Sequence, residues 1–130
     1  LLAEVRAVIA DGGPPRMLPA IAARMREMGL PRGLGRPLAW LTLAVTSLRV
    51  RANLFRWEPL RRVGQVTCPT LFIHGDGDPY IPPGEFEALV AAANVPKEVW
   101  RVPEAGHRTV DQLYPEEYRR RVVAFFERYV

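Results

Sequence analysis

Three short stretches of this 130-residue chain combine glycine with an acid or a histidine. They are Asp11-Gly12-Gly13, His74-Gly75-Asp76-Gly77-Asp78 and Glu104-Ala105-Gly106-His107. A carboxylate that accepts an imidazole N–H orients the ring and leaves its other nitrogen to act as a general base. Asp76 and Asp78 are the candidate acids, and His74 and His107 the candidate imidazoles. The side chains able to attack a carbonyl are fewer still, since the chain holds one serine, Ser47, and one cysteine, Cys68.

Such a pairing works only if the elements beneath these loops bring them together. Each stretch follows a short apolar segment that reads as a strand: Val5 to Ala10, Thr70 to His74, and Glu98 to Val102. Their continuous apolar character predicts strands covered on both faces, as in a parallel sheet. Ligands of such sheets bind outside the carboxyl ends of the strands. Neighbouring strands lie about 4.8 Å apart, so adjacency of the second and third would let a carboxylate of one loop reach an imidazole of the next.

Helical patterns fill the intervals. Pro14 to Met28 carries an apolar stripe, and Gly29, Pro31, Gly33, Gly35 and Pro37 are expected to break it. Leu38 to Val50 predicts a second, strongly apolar helix, and Glu58 to Val63 a short turn. Pro83 to Ala93 is amphipathic through Phe86, Leu89 and Val90. Pro115 to Tyr129 places Tyr118, Val122, Phe125 and Phe126 on one stripe. Strands alternating with helices predict an α/β class with right-handed crossovers. The first interval is about twice the usual crossover length, so residues 33–56 are expected to form a cap or lid.

Composition narrows the function classes. With 48% hydrophobic and 25% charged residues the chain reads as globular. A lone cysteine excludes an internal disulfide framework. The longest mainly apolar stretch, Pro37 to Leu48, falls short of the roughly 18 residues that a membrane span needs. No secretory signal opens the chain, and a cytoplasmic location is expected. The net charge is +4. Its arginines are scattered without any nucleic-acid-binding spacing, which points to a GC-rich genome and not to a nucleic-acid partner. No His/Cys/carboxylate cluster has metal-ligand spacing, so neither metal nor cofactor is implied.

Two motifs carry a family resemblance. V-T-C-P-T-L-F-I-H-G-D-G-D-P-Y-I-P-P (Val66 to Pro83) resembles the α/β-hydrolase segment with the pattern H-G-x-x-D-x-x-(I/V)-P, which delivers the triad acid. V-P-E-A-G-H-R (Val102 to Arg108) resembles the segment that delivers the triad histidine, and Pro115 to Phe126 the terminal helix. The resemblance is closest to the bacterial serine-aminopeptidase-like or BEM46-like branch. It is good over residues 66–130 and loose before them. It implies a three-layer α/β/α architecture, the C-terminal part of a parallel hydrolase sheet with three strands and crossover helices. It also implies that Asp78 is the orienting acid and His107 the general base. Asp76 falls on an x position, as expected of a turn-capping residue, and His74 is expected to pack beside the site.

The nucleophile of that family sits on a G-x-S-x-G elbow, and the chain has none. Ser47, in L-T-L-A-V-T-S-L-R, lacks flanking glycines and reads as a small helix residue. Cys68 precedes the second strand, some 20 Å from His107 along the strand, and is expected to be a buried structural residue. The resemblance places the nucleophile and oxyanion donors upstream of residue 1, with Leu1 to Glu4 ending the helix or turn after the elbow. The chain is thus expected to be the C-terminal half of a hydrolase about twice as long. The 130 residues alone are expected to be inactive and to self-associate through the first strand.

Three matters stay open in the sequence. A D-x-D phosphatase using Asp76 and Asp78 is an alternative, although Lys97 stands on the wrong side of the third strand for that chemistry. A non-catalytic binding or assembly module is the other. Small-molecule acyl ester, thioester and peptide substrates are all compatible with the residues, and Trp40 to Leu48 could line an acyl pocket.

Overall fold

A computed structural model describes residues 5–82 and 84–130. The expectation for Leu1 to Glu4 and the starting residue of the Pro83 to Ala93 helix lie outside the described residues. The chain divides into two compact units. The first comprises Leu1–Gly13, Gly64–Asp78 and Ala92–Val130, and the second Pro14–Val63 and Pro79–Ala91.

The first unit is built on a parallel three-stranded sheet in the order β1 (Val8–Asp11), β2 (Thr70–Gly75), β3 (Lys97–Val102). Val8 pairs with Thr70 and Asp11 with Ile73, while Thr70 pairs with Lys97 and Gly75 with Val102. All three strands therefore end near one level. β2, in the middle, is buried along its whole length, as its unbroken apolar run requires. The expectation of two covered faces fails for the edge strands. β1 is half-buried, and β3 alternates, with Val99 and Arg101 exposed, because an edge strand needs only part of its surface covered.

Two helices complete this unit, α5 (Val110–Leu113) and α6 (Pro115–Tyr129). The short α5 was not legible in the sequence. α6 begins with Pro at its first position and Glu116 and Glu117 in its first turn, both favourable at the positive end of a helix. Leu71, Ile73, Val102, Ala105, Val110 and Phe125 form the core, with Tyr118, Val122 and Tyr129 packed against it. Phe125 is 2% exposed whereas Phe126 is 39% exposed. The expected stripe therefore continues from Phe125 to Tyr129, whose rings lie 5.0 Å apart, and Phe126 falls off it.

The second unit contains α1 (Met17–Glu27), α2 (Arg32–Arg49), α3 (Pro59–Arg62) and most of α4 (Glu85–Ala92). α1 ends in a Schellman motif. Gly29 takes φ 89°, its N–H donates to the Arg26 carbonyl, and the Leu30 N–H donates to the Met25 carbonyl. α2 then corrects the sequence reading, because it starts at Arg32 and runs through Gly33, Gly35 and Pro37. Gly35 is the reason. Its α-carbon faces α1 so closely that an added Cβ would lie 3.4 Å from the Ala22 carbonyl oxygen. Buried Gly35, Ala39 and Leu43 continue that seam at helical spacing and outweigh the proline. Among the described residues no helix is long and apolar enough to cross a membrane.

Candidate active site

The site is assembled by backbone hydrogen bonds between the loops that follow β2 and β3. The Asp76 N–H donates to the Val102 carbonyl at 3.0 Å, and the Gly77 N–H to the Ala105 carbonyl at 2.9 Å. The Asp78 N–H turns back to the Gly75 carbonyl at 3.1 Å. Beyond β3, the Gly106 N–H donates to the Thr109 hydroxyl at 2.9 Å and shapes the turn that carries His107. Glycine is obligatory at position 75. A Cβ there would stand 2.3 Å from the Ala105 carbonyl oxygen and 2.5 Å from that of Gly106.

This close approach brings together the two residues singled out by the motif. His107 Nδ1 and Asp78 Oδ2 are 2.7 Å apart. The Asp78 side chain is 1% exposed and that of His107 35%. A buried carboxylate accepting the Nδ1–H selects the tautomer whose Nε2 is the basic nitrogen. The acid is shielded, and the imidazole it orients reaches the surface.

Asp76, the rival acid, is instead held by Arg101, whose Nε donates to it at 2.8 Å. Its role is an ion pair between the loop and β3. That also separates the two carboxylates of the D-G-D sequence, which face different partners. His74 is buried within β2. Ser47 lies in α2 of the second unit, where its hydroxyl accepts the N–H of Leu54 at 3.1 Å and closes the turn that follows the helix. Cys68 is half-buried, not buried as expected, because it precedes β2 and not lies within it.

A further pair escaped the sequence reading. The Tyr118 hydroxyl, from α6, donates to Asp11 Oδ2 at the end of β1 at 2.9 Å. Tyr118 showed itself in the sequence only as a member of an apolar stripe, and nothing in that spacing says where the hydroxyl points. Burial pushes its phenol up to about 12, helped by the Asp11 hydrogen bond and by the charges of Asp11 and Asp111, and opposed by Arg108. The neutral phenol favours the folded state. That contribution is complete below about pH 10, the ordinary tyrosine range, and is lost as pH rises through about 12. A tyrosinate absorbance titration of the chain minus that of Tyr118→Phe is expected to show one step near pH 12. A step at or below pH 10 contradicts the arrangement.

Neither a protein-family model nor a curated protein sequence matches this chain. Solved structures do. The chain is similar to the esterase Pf2001 of Pyrococcus furiosus, with a TM-score of 0.70 and 22% identity over 98% of this chain and 46% of that one. Another crystal form of the same esterase gives 0.69 and 24% identity, with 98% and 47% covered. It is also similar to MGS-MChE2, an α/β-hydrolase enzyme from a metagenome of sediments of the Mar Chica lagoon in Morocco. There the TM-score is 0.55, with 19% identity over 95% of this chain and 51% of that one. The fold is that of an α/β-hydrolase. The chain spans about half the length of these structures, and its parallel strands and helices correspond to the C-terminal part of that fold.

Proposed function

We propose that Asp78 and His107 are the acid and base of an acyl-transfer triad in a hydrolase of the serine type. The observation that carries this reading is the 2.7 Å contact between a buried carboxylate and a half-exposed imidazole at the carboxyl ends of adjacent parallel strands. In this reading His107 takes the proton of a serine hydroxyl as that oxygen attacks an ester, thioester or peptide carbonyl. It then returns a proton to the leaving group. Water, deprotonated by the same nitrogen, then attacks the acyl-serine carbonyl, and the acid leaves as the serine oxygen recovers its proton.

The serine and its oxyanion donors would come from polypeptide outside these 130 residues, since Ser47 has neither the elbow glycines nor a free geometry. The serine-aminopeptidase-like or BEM46-like branch is the one its motifs resemble. Residues 33–56 are assigned the cap. The test is turnover of p-nitrophenyl esters by the full-length gene product. His107→Ala is expected to lower kcat by about three orders of magnitude or more, and retention within tenfold would overturn the assignment. Asp76→Asn, which removes only an ion pair with Arg101, is expected to cost less than about tenfold.

A binding or assembly module is the second reading, favoured by the absence of G-x-S-x-G from the chain. It predicts no upstream elbow in the gene and no covalent chemistry. Either way, β1 pairs with β2 alone among the described residues, and its outer edge carries unpaired backbone donors and acceptors. The isolated 130-residue chain is therefore expected to form dimers or larger species in light scattering. A monomer with fully protected amides over Val8–Asp11 contradicts this.

A further inference from the structure

The residue after the histidine is in an unusual conformation. Arg108 has φ 51°, a left-handed value shared by only one other non-glycine residue among those described. Such a conformation costs free energy for a residue with a Cβ and persists only where its surroundings impose it. Its side chain packs on Gly12, in the loop after β1. Gly12 has φ 59°, and a Cβ on it would lie 2.7 Å from Arg108 Cγ and 3.7 Å from Cδ. The arginine stem thus lies across a glycine that leaves room for it. Its guanidinium is close enough to Tyr118 to oppose the rise of that phenol.

Arg108 is one of several arginines whose charge meets no carboxylate among the described residues. Arg16, Arg24, Arg61, Arg101, Arg119, Arg120, Arg121 and Arg128 each pair with a carboxylate. Among the described residues Arg108 has no ion pair and no hydrogen bond, and it is exposed. The nearby acid at the end of β1, Asp11, receives the Tyr118 hydroxyl instead. An exposed guanidinium next in sequence to the base, with its stem seated on Gly12 and its planar fork of donors unoccupied, has the chemistry to receive a carboxylate in bidentate fashion.

We propose that Arg108 is a specificity-determining residue that binds a carboxylate carried by the substrate, so that half-esters of dicarboxylic acids and similar anionic acyl compounds are preferred. The proposal rests on the reading of His107 as the base. Arg108 follows the base directly and its stem lies over the loop after β1, so both groups stand at the carboxyl ends of the strands, where ligands of parallel sheets bind.

The test is binding to the full-length gene product with its nucleophile replaced by alanine, so that no turnover intervenes. Monomethyl glutarate, with one carboxylate and one ester, is titrated against the ¹⁵N-labelled protein, and dimethyl glutarate serves as its neutral counterpart. Saturable shifts at the His107 and Arg108 amides and the Arg108 Nε–H are expected with the half-ester. They should be at least tenfold weaker with the diester and with Arg108→Gln, and partly restored by Arg108→Lys. Equal response to both esters, or an unchanged response in Arg108→Gln, means a solvated arginine only and overturns the proposal. If the half-ester binds through Arg108 but the full-length gene product shows no His107-dependent turnover, the anion subsite stands and the hydrolase reading falls. His107-dependent turnover without Arg108-dependent binding leaves the hydrolase reading and removes this one.

Discussion

Replacing Asp78 by Asn in the full-length gene product is expected to lower kcat for ester hydrolysis by about 10⁴-fold with little change in KM. The two side chains have almost the same shape, so the buried position can still be filled. What changes is the hydrogen bond. A carboxylate can only accept, and at 2.7 Å from Nδ1 it fixes the proton there. An amide can turn its NH₂ toward the ring and stabilise the opposite tautomer, with the proton on Nε2. A base that already carries its proton cannot take another from the nucleophile. Asparagine also removes the charge that would stabilise an imidazolium forming during the reaction. Because both effects act on the transition state, the loss falls on kcat. Steady-state kinetics on Asp78→Asn and Asp76→Asn therefore separate the two acids, which stand two positions apart and differ in partner. Equal losses, or a larger loss at Asp76, would contradict the assignment.

Gly75→Ala is expected to destabilise the fold by about 3 kcal/mol, toward the upper end of the range for overpacking. The new methyl would stand 2.3 Å from the Ala105 carbonyl oxygen, while ordinary contact begins near 3.4 Å. Both offending atoms belong to backbone, so no side chain can swing away. The strand end and the Ala105–Gly106 turn must part by about an ångström. This turn carries His107, and its companion carries Asp78. A displacement of that size at a catalytic group can cost about 10²-fold in rate. The measurements are urea unfolding for stability and p-nitrophenyl ester turnover for activity. Gly77→Ala, whose methyl would meet the same oxygen at 3.0 Å, is the milder companion and should lose less of both. A wild-type midpoint for Gly75→Ala contradicts this packing.

Much of this architecture is legible in the sequence because it rests on strong local signals. The apolar run of β2 is bounded by Cys68-Pro69 and by glycines, so it reads as a buried strand. The terminal helix is marked by Pro115 at its start and by its stripe. His107 and Asp78 stand out because their motifs occur in order, 29 positions apart. The errors have physical causes too. Gly33, Gly35 and Pro37 look like breakers when judged by local propensity, yet the contact of Gly35 with α1 decides the matter. Phe126 sits beside Phe125 in the stripe, and only the packed structure tells which of the two faces the core. The Asp11–Tyr118 bond joins residues 107 positions apart, and no periodicity carries such information. The same holds for Arg108, whose stem meets a glycine at the far end of the sheet's order.

The central claim is that Asp78 and His107 act together on a serine nucleophile. Its most direct test is the rate of labelling of the full-length gene product by a fluorophosphonate probe, with the modified residue located by mass spectrometry. One labelled serine is expected, on a G-x-S-x-G elbow, with a labelling rate that falls by about three orders of magnitude or more in His107→Ala and comparably in Asp78→Asn. No labelled serine, or labelling that proceeds at the wild-type rate in both variants, would contradict it.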